Sequence, residues 1–209
     1  KKIKAVLKFA DYALNNLNIF RTLLLKRKFS LHQLDIEYEE HINNEIARFI
    51  STHQDKEYFK RSGKELNWML DYRWVLENDE QAWHEAVKYY FSSAELVFKY
   101  HCLSFRENGK LLAFAILRQR NKSFTLPYIY SEKKSGTRVL QAIFEFLLQH
   151  KATDFTLFHP EFTECADKQE IPFFYTRKIP KDFAVSNEIS HLISSGKFLQ
   201  DGDGDCAFT

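Results

Sequence analysis

The sequence has few of the residues on which cross-linked or loop-rich folds depend: 3 cysteines, 4 prolines and 6 glycines in 209 residues. Cys102, Cys165 and Cys206 show no CxxC spacing and no histidines at zinc-finger spacing, and three is a poor number for a disulfide framework. We therefore expect no metal site and a reducing location, the cytoplasm. The shortage of proline and glycine also argues against low-complexity linkers.

Long hydrophobic runs are absent as well, because no run of about 18 residues is apolar, and no signal peptide is visible. The sequence thus predicts no transmembrane segment. The formal net charge of +2 implies no polyanion such as DNA as a partner of the whole chain. Methionine occurs once, at Met69, so the initiator is absent and an upstream domain can precede Lys1.

The sequence is rich in aromatic residues for a core, and its beginning is strongly basic. Residues 1–28 hold eight lysines and arginines against one aspartate, a net charge of +7, which leaves −5 for the rest. Apolar residues recur at helical spacing between Val6 and Leu24. We expect a basic amphipathic helix over residues 1–29 and one domain over residues 30–209. Such a helix either packs on its own domain or contacts anionic membrane or nucleic acid.

Helical patterns dominate the first part of this domain. A loose alternation over residues 30–38 predicts a first strand, and apolar spacing over residues 39–52 predicts a helix. Ser62 and Glu65 have the spacing of a capping box, which predicts a second helix from this point. Asn78 and Gln81 have the same spacing and predict a third.

The period changes from helix to strand at Val97. Asn108-Gly109 is typical of a type I′ turn and predicts a hairpin whose return strand, 111–117, is central and covered on both faces. Pro127 lies inside the next strand, 124–130, which must therefore be bulged or unpaired there. A helix over 137–150 and a strand over 154–158 imply a parallel crossover, and residues 173–179 look extended. The fold class is α+β with a mixed, mostly antiparallel sheet.

This order of elements resembles the GNAT superfamily of N-acetyltransferases over residues 30–209. Two segments are similar to those of some bacterial GNAT-like proteins: Arg61-Ser62-Gly63-Lys64-Glu65-Leu66-Asn67-Trp68, and the closing Asp201-Gly202-Asp203-Gly204-Asp205. The resemblance implies transfer of acetyl from acetyl-CoA to a small-molecule or peptide amine by direct attack. In the superfamily the fourth strand leaves the fifth, and the pantetheine arm pairs with the exposed backbone. The matching residues here are Tyr128, Ile129 and Tyr130.

The loop before the helix over 137–150 is where the pyrophosphate of acetyl-CoA is expected. The superfamily motif is Gln/Arg-x-x-Gly-x-Gly/Ala, whereas this chain has Lys134, Ser135, Gly136, Thr137 and Arg138, with one glycine and a shorter loop. Backbone N–H groups at a helix start bind phosphate readily, so we expect these five residues to hold it. The same residues would equally form a plain strand-to-helix connection.

The resemblance also implies an acid for the departing thiolate and a base for the amine. Tyr175 is the candidate acid, and Glu132 and His159, with Glu161 as a further choice, are candidates for the base. Each also suits an ordinary core or loop position. The closing aspartates do not fit an EF-hand, which needs glycine at position 6, where this chain has Cys206. They form either a tight turn or a carboxylate cluster for a cationic substrate.

Two other functions stay open on the same fold. The first is a Fem-type aminoacyl or peptidyl transferase that uses aminoacyl-tRNA, and the basic charge of residues 1–28 is its support. The second is a GNAT-like binding domain without catalysis, supported by the altered loop at Lys134–Arg138.

Overall fold

The computed structural model describes residues 21, 24–30, 34–72, 76–77, 94–181 and 196–203. Most of the predicted N-terminal helix and of the predicted helix after Asn78 therefore lies outside the described residues, as do Gly204, Asp205 and Cys206. Within the described part of the chain, no helix is both long enough and apolar enough to span a membrane.

A five-stranded mixed sheet forms the centre of an α+β fold, as predicted. The strands of the described residues are β1 (Asp35–Glu39), β2 (Leu76–Glu77), β3 (Ala94–Glu95), β4 (Phe98–Glu107), β5 (Lys110–Arg120), β6 (Ser123–Ser131) and β7 (Asp154–Thr156). The central sheet has the order β1-β4-β5-β6-β7, antiparallel except for the parallel pair β6 and β7. β2 and β3 pair separately and in parallel.

After the N-terminal segment, the described residues form four α-helices: α1 (Asn44–Thr52), α2 (Gly63–Asp71), α3 (Gly136–Gln149) and α4 (Pro160–Asp167). The predicted capping box at α2 is confirmed, because Ser62 and Glu65 each accept a backbone N–H of the other. The helix predicted from Glu39 begins only at Asn44, because the side chain of Asn43 accepts the N–H of Ile46 and caps it there.

The hairpin between β4 and β5 is confirmed at its turn, since Asn108 and Gly109 have φ of 51° and 79°. Both central positions of a type I′ turn need positive φ. β5 is buried from Leu111 to Arg118, as expected of a central strand that is covered on both faces. α3 crosses from β6 to β7, which confirms the predicted parallel strand–helix–strand unit.

Two hydrophobic layers cover this sheet. One joins α3 to alternate strand residues such as Leu103 and Phe105. The other joins α1 and α2 to the intervening residues; its members include Ile46, Leu66, Phe114, Ile116, Tyr128 and Tyr130. Alternation of this kind is what a strand with two buried faces requires. The second layer brings α1 and α2 over β6, where the candidate site lies.

The described part of the N-terminal segment packs on the domain. Residues 24–29 are helical, and Leu25 and Phe29 are buried in the core that contains α3. The Arg21 guanidinium donates to the carbonyl oxygens of residues 171, 172 and 173, at 3.0 to 3.2 Å. Residues 173–179, predicted to be extended, form no strand. The carbonyl of Phe173, at the start of this segment, binds the Arg21 side chain rather than a neighbouring strand.

Candidate functional site

β6 separates from β7 after only three residue pairs. Ser123, Phe124 and Thr125 face Asp154, Phe155 and Thr156, and no described strand pairs with the rest of β6 on that side. On its other side, the register of β5 and β6 shifts between Ile116 and Arg118, so Leu126 and Pro127 together oppose Leu117. This bulge confirms the prediction made from Pro127, which has no N–H for the ladder.

The opened edge of β6 is met by a side chain instead of a strand. The Gln200 carboxamide donates from Nε2 to the Ile129 carbonyl at 2.8 Å, and its Oε1 accepts the Ile129 N–H at 3.3 Å. These are the two bonds that one residue of an adjacent antiparallel strand would make. The same Nε2 also donates to Oε1 of Glu57 at 3.0 Å. Gln200 therefore links β6 to the connection between α1 and α2.

The two segments that carry the family resemblance meet beside Gln200. Arg61 donates through Nε to Oδ1 of Asp203 at 3.1 Å, and the Asp203 side chain is fully buried. The Tyr128 hydroxyl donates to the Gly202 carbonyl at 2.6 Å. A Cβ at position 202 would lie 2.2 Å from the Tyr128 ring, so only glycine fits this close approach. Burial raises the pKa of Asp203, and the bond to Arg61 opposes that shift.

The closing aspartates are therefore internal anchors in the part that the structure describes. Asp201 is buried and pairs with Lys181, and Asp203 pairs with Arg61. The turn interpretation is the better one, because residues 201–203 form a short 3-10 turn. Both described carboxylates already have a cationic partner within the chain, so neither is available to bind a cationic substrate.

Three polar side chains near Gln200 are buried without satisfying all their oxygens. Glu57 is 2% exposed, and among the described residues its Oε2, the Oε1 of Gln54 and the hydroxyl of Tyr130 have no hydrogen-bond partner. Burial raises the pKa of Glu57 to about 7, and burial together with the charge of Glu57 raises that of Tyr130. An unsatisfied buried polar group costs about 1–3 kcal/mol. Such groups with shifted pKa values are candidates for function.

The expected pyrophosphate loop ends at a normally formed helix start. Ser135 is buried and donates through Oγ to the Glu132 carbonyl at 2.7 Å, and Lys134 has a φ of 71°. The N–H groups of Gly136, Thr137 and Arg138 stand in the first turn of α3, where the helix itself supplies no acceptors. This is the arrangement that binds an anion.

Two features of this loop oppose an anion. A Cβ on Gly136 would lie 3.1 Å from the Cys165 Sγ and 3.4 Å from Oε1 of Glu161, so a carboxylate lies beside the helix start. The guanidinium of Arg138 is engaged by Glu107. The charge available to a phosphate at this end of α3 is therefore smaller than the sequence suggests, with exposed Lys133 and Lys134 as its cationic neighbours in the loop.

The three side chains predicted to be catalytic have very different surroundings, and in the described residues no hydrogen bond or ion pair joins any two of them. Tyr175 is 77% exposed and lies outside any helix or strand. Glu132 is half-exposed and pairs with Lys110 at 3.5 Å and His53 at 3.9 Å. His159 is buried with its ring against Phe198, and burial lowers its pKa to about 4, so it is neutral at pH 7.

The structure adds two residues to the site, Glu57 and Gln200, that the sequence did not single out. Neither belongs to a motif, and they meet across 143 positions of the chain. Of the predicted donor-binding residues, Tyr128, Ile129 and Tyr130 do line the opened edge of β6. Pro127 indicated from the sequence that the backbone at these residues is irregular. No local sequence pattern indicated their polar neighbours Glu57 and Gln200.

No cluster of three histidine, cysteine or acidic side chains that could hold a metal ion occurs among the described residues. Comparison with known proteins found no matching family model, no matching curated protein and no matching solved structure. Function therefore rests on the geometry of the opened edge of β6 and of the side chains around it.

Proposed function

We propose that this protein is a GNAT-type N-acyltransferase, which moves an acyl group, acetyl in the simplest case, from coenzyme A to an amine. One observation supports it above all: β6 leaves β7 after Thr125, with a bulge at Pro127, so its backbone edge opens inside a buried part of the fold. In the resemblance given above, this is where the pantetheine arm of the donor binds as an extra strand.

The donor arm would bind by replacing the Gln200 carboxamide. Ile129 directs its N–H and C=O away from β5, and both are satisfied by one side chain. Pantetheine is an extended chain with two amide groups, so it offers both a donor and an acceptor, as a peptide does when it adds to a sheet edge. The phosphates would then lie toward the first turn of α3, after β6 ends at Ser131.

In this reaction the amine nitrogen attacks the thioester carbonyl carbon. A C–N bond forms, the C–S bond breaks, and the thiolate leaves with the electron pair of that bond. The exposed position of Tyr175 gives no support to it as the acid that protonates this thiolate. The buried hydroxyls of Tyr128 and Tyr130 lie closer to the opened edge, since they flank Ile129 in the same strand.

A binding domain without catalysis is the second candidate, and two observations favour it. Gln200 already occupies the Ile129 backbone groups, and Glu161 lies beside the helix start that would hold the phosphates. The described contacts give the Fem-type alternative little support, since two of the four described bases of residues 1–28, Arg21 and Lys28, are engaged by the domain itself, the latter through Glu170.

Calorimetric titration with acetyl-CoA separates the first candidate from the second. We expect the wild type to bind, Thr137→Gln to bind similarly, and Thr137→Glu to bind about tenfold more weakly, because its carboxylate would repel the phosphates. Thr137 is exposed in the first turn of α3, where an acidic residue favours the helix and the fold should persist. Absence of binding by the wild type at millimolar acetyl-CoA would refute acyl transfer and favour the binding domain.

A further inference from the structure

We propose that Glu57, together with Gln54 and Tyr130, receives the amino group of the acceptor, and that the Glu57 carboxylate takes its proton. This inference rests on the acyltransferase function proposed above and names the substrate class of the same site as a primary amine. Its basis is three buried oxygens, on Gln54, Glu57 and Tyr130, that have no partner among the described residues.

The three unpartnered atoms suit an ammonium group. Oε1 of Gln54 and Oε2 of Glu57 are acceptors, and the hydroxyl of Tyr130 accepts as well as donates. An ammonium has three N–H donors and no acceptor, so it complements such a set without leaving an unmatched group of its own. Gln54 and Glu57 lie in one turn, in which the Glu57 N–H donates to the Gln54 carbonyl at 3.1 Å.

The two oxygens of Glu57 have different roles. Oε1 accepts from Gln200 Nε2 at 3.0 Å, and that nitrogen also binds the Ile129 carbonyl at 2.8 Å. Before the donor arm replaces Gln200, this bond holds the carboxylate beside the opened edge of β6. Oε2 has no partner in the described part of the chain and is therefore the atom that remains to accept a proton.

The charges around Glu57 favour a base that works near neutral pH. Burial raises its pKa to about 7 and the charge of Asp203 adds to this, while the bond from Gln200 and the charge of Lys60 oppose it. Lys60 is exposed and near Asp55, and Arg61 is held by Asp203. A general base is most effective when its pKa lies near the working pH.

The step balances with this one carboxylate. The ammonium gives a proton to Oε2 of Glu57, and the neutral amine attacks the thioester carbonyl carbon. The C–N bond forms and the C–S bond breaks, and the second amine proton goes to the leaving thiolate. Glu57 then returns its proton to solvent. The net products are an amide, the free thiol of coenzyme A and one proton.

The test uses acetyl-CoA with ethylamine as a small probe amine, which is an ammonium ion at neutral pH, and follows thiol release with a thiol reagent. We expect wild-type turnover to rise through pH 7 and level off above it. Glu57→Gln should lower turnover about 100-fold while acetyl-CoA affinity stays within about threefold of the wild type. The control is Glu164→Gln, which removes an exposed carboxylate paired with Lys168 and should change neither quantity.

Each outcome of these measurements supports or overturns a stated part of the proposal. Wild-type turnover in Glu57→Gln, or a wild type that binds acetyl-CoA and releases no thiol with ethylamine, overturns the role of Glu57 and leaves donor binding intact. A wild type that binds no acetyl-CoA in the calorimeter overturns the acyltransferase function first, and this inference with it. Unfolding of Glu57→Gln as the cause of lost turnover is tested by measuring its free energy of unfolding. Above pH 7 this free energy should exceed that of the wild type.

Discussion

Replacing Glu57 with glutamine should stabilise the folded protein at alkaline pH, although it alters a buried, hydrogen-bonded residue. Glutamine has the same shape as glutamate, and its carbonyl oxygen accepts from Gln200 as Oε1 of Glu57 does. Its NH₂ group then takes the place of Oε2, in the turn that also holds Gln54 and close enough to Tyr130 for the Glu57 charge to raise the pKa of that hydroxyl. The substitution removes a charge that is costly to bury and introduces donors where acceptors are unmatched.

The size of the effect follows from the pKa of Glu57, which rises from 4.5 to about 7 on folding. A raised carboxyl pKa means that the folded state holds the proton more tightly than the unfolded state does. The stability that Glu57 contributes is thus fully present below pH 4.5 and is lost as pH rises through 7. The loss amounts to about 3 kcal/mol at most. Glutamine does not titrate and keeps its contribution throughout.

The assay is urea unfolding of the wild type and Glu57→Gln at pH 4.5 and pH 8, compared at each pH so that other titrating groups cancel. We expect the free energy of unfolding of the variant, relative to the wild type, to be larger at pH 8 than at pH 4.5 by about 2–3 kcal/mol. Glu164→Gln should show no such gain, since Lys168 lowers the pKa of the exposed Glu164 carboxyl. An equal difference at both pH values would refute the buried, neutral Glu57.

Two further predictions concern the neighbours of Glu57. Gln200→Ala should let the Ile129 amide exchange with deuterium at least about tenfold faster in the free protein, because no described strand covers that edge; unchanged exchange, followed by NMR, would contradict this. His159 is buried and its pKa is lowered to about 4, so the wild type should lose thermal stability as pH falls from 6.5 toward 4. His159→Gln should lose less, and an equal loss in both proteins at pH 4.5 would exclude His159 as the cause.

Local signals predicted the scaffold of this site well, and they failed where partners are distant in sequence. The Asn108-Gly109 turn and the Ser62 capping box depend on neighbouring residues, so the sequence specifies them almost alone. Pro127 marked the bulge because proline lacks an N–H wherever it stands. No sequence pattern distinguishes Glu57 from the other acidic residues, because its pKa is shifted only by the tertiary structure that buries it.

The same distinction explains why Tyr175 was an attractive candidate and Gln200 was not. Tyr175 follows a short helix, and its predicted place depended on an extended segment after that helix. Residues 173–179 form no strand, so nothing carries the side chain toward β6. Gln200 reaches β6 because the adjacent 201–203 turn is held in place. Arg61, which is distant in sequence, fixes that turn through Asp203. Long-range anchoring of this kind leaves no periodicity to detect.

The cost of the arrangement at β6 is itself a reason to connect it with function. A domain selected for stability alone would extend β7 beyond its three residues and pair the whole of β6. This chain instead bulges the strand at Pro127 and satisfies Ile129 with a side chain. It also buries the Glu57 carboxyl, of which one oxygen has no partner in the described part of the chain. Exceptions to local consistency and to hydrogen-bond satisfaction concentrate at functional sites. Here the opened backbone edge and the unmatched acid share one hydrogen-bonding partner, Gln200, so they are best understood as parts of a single site.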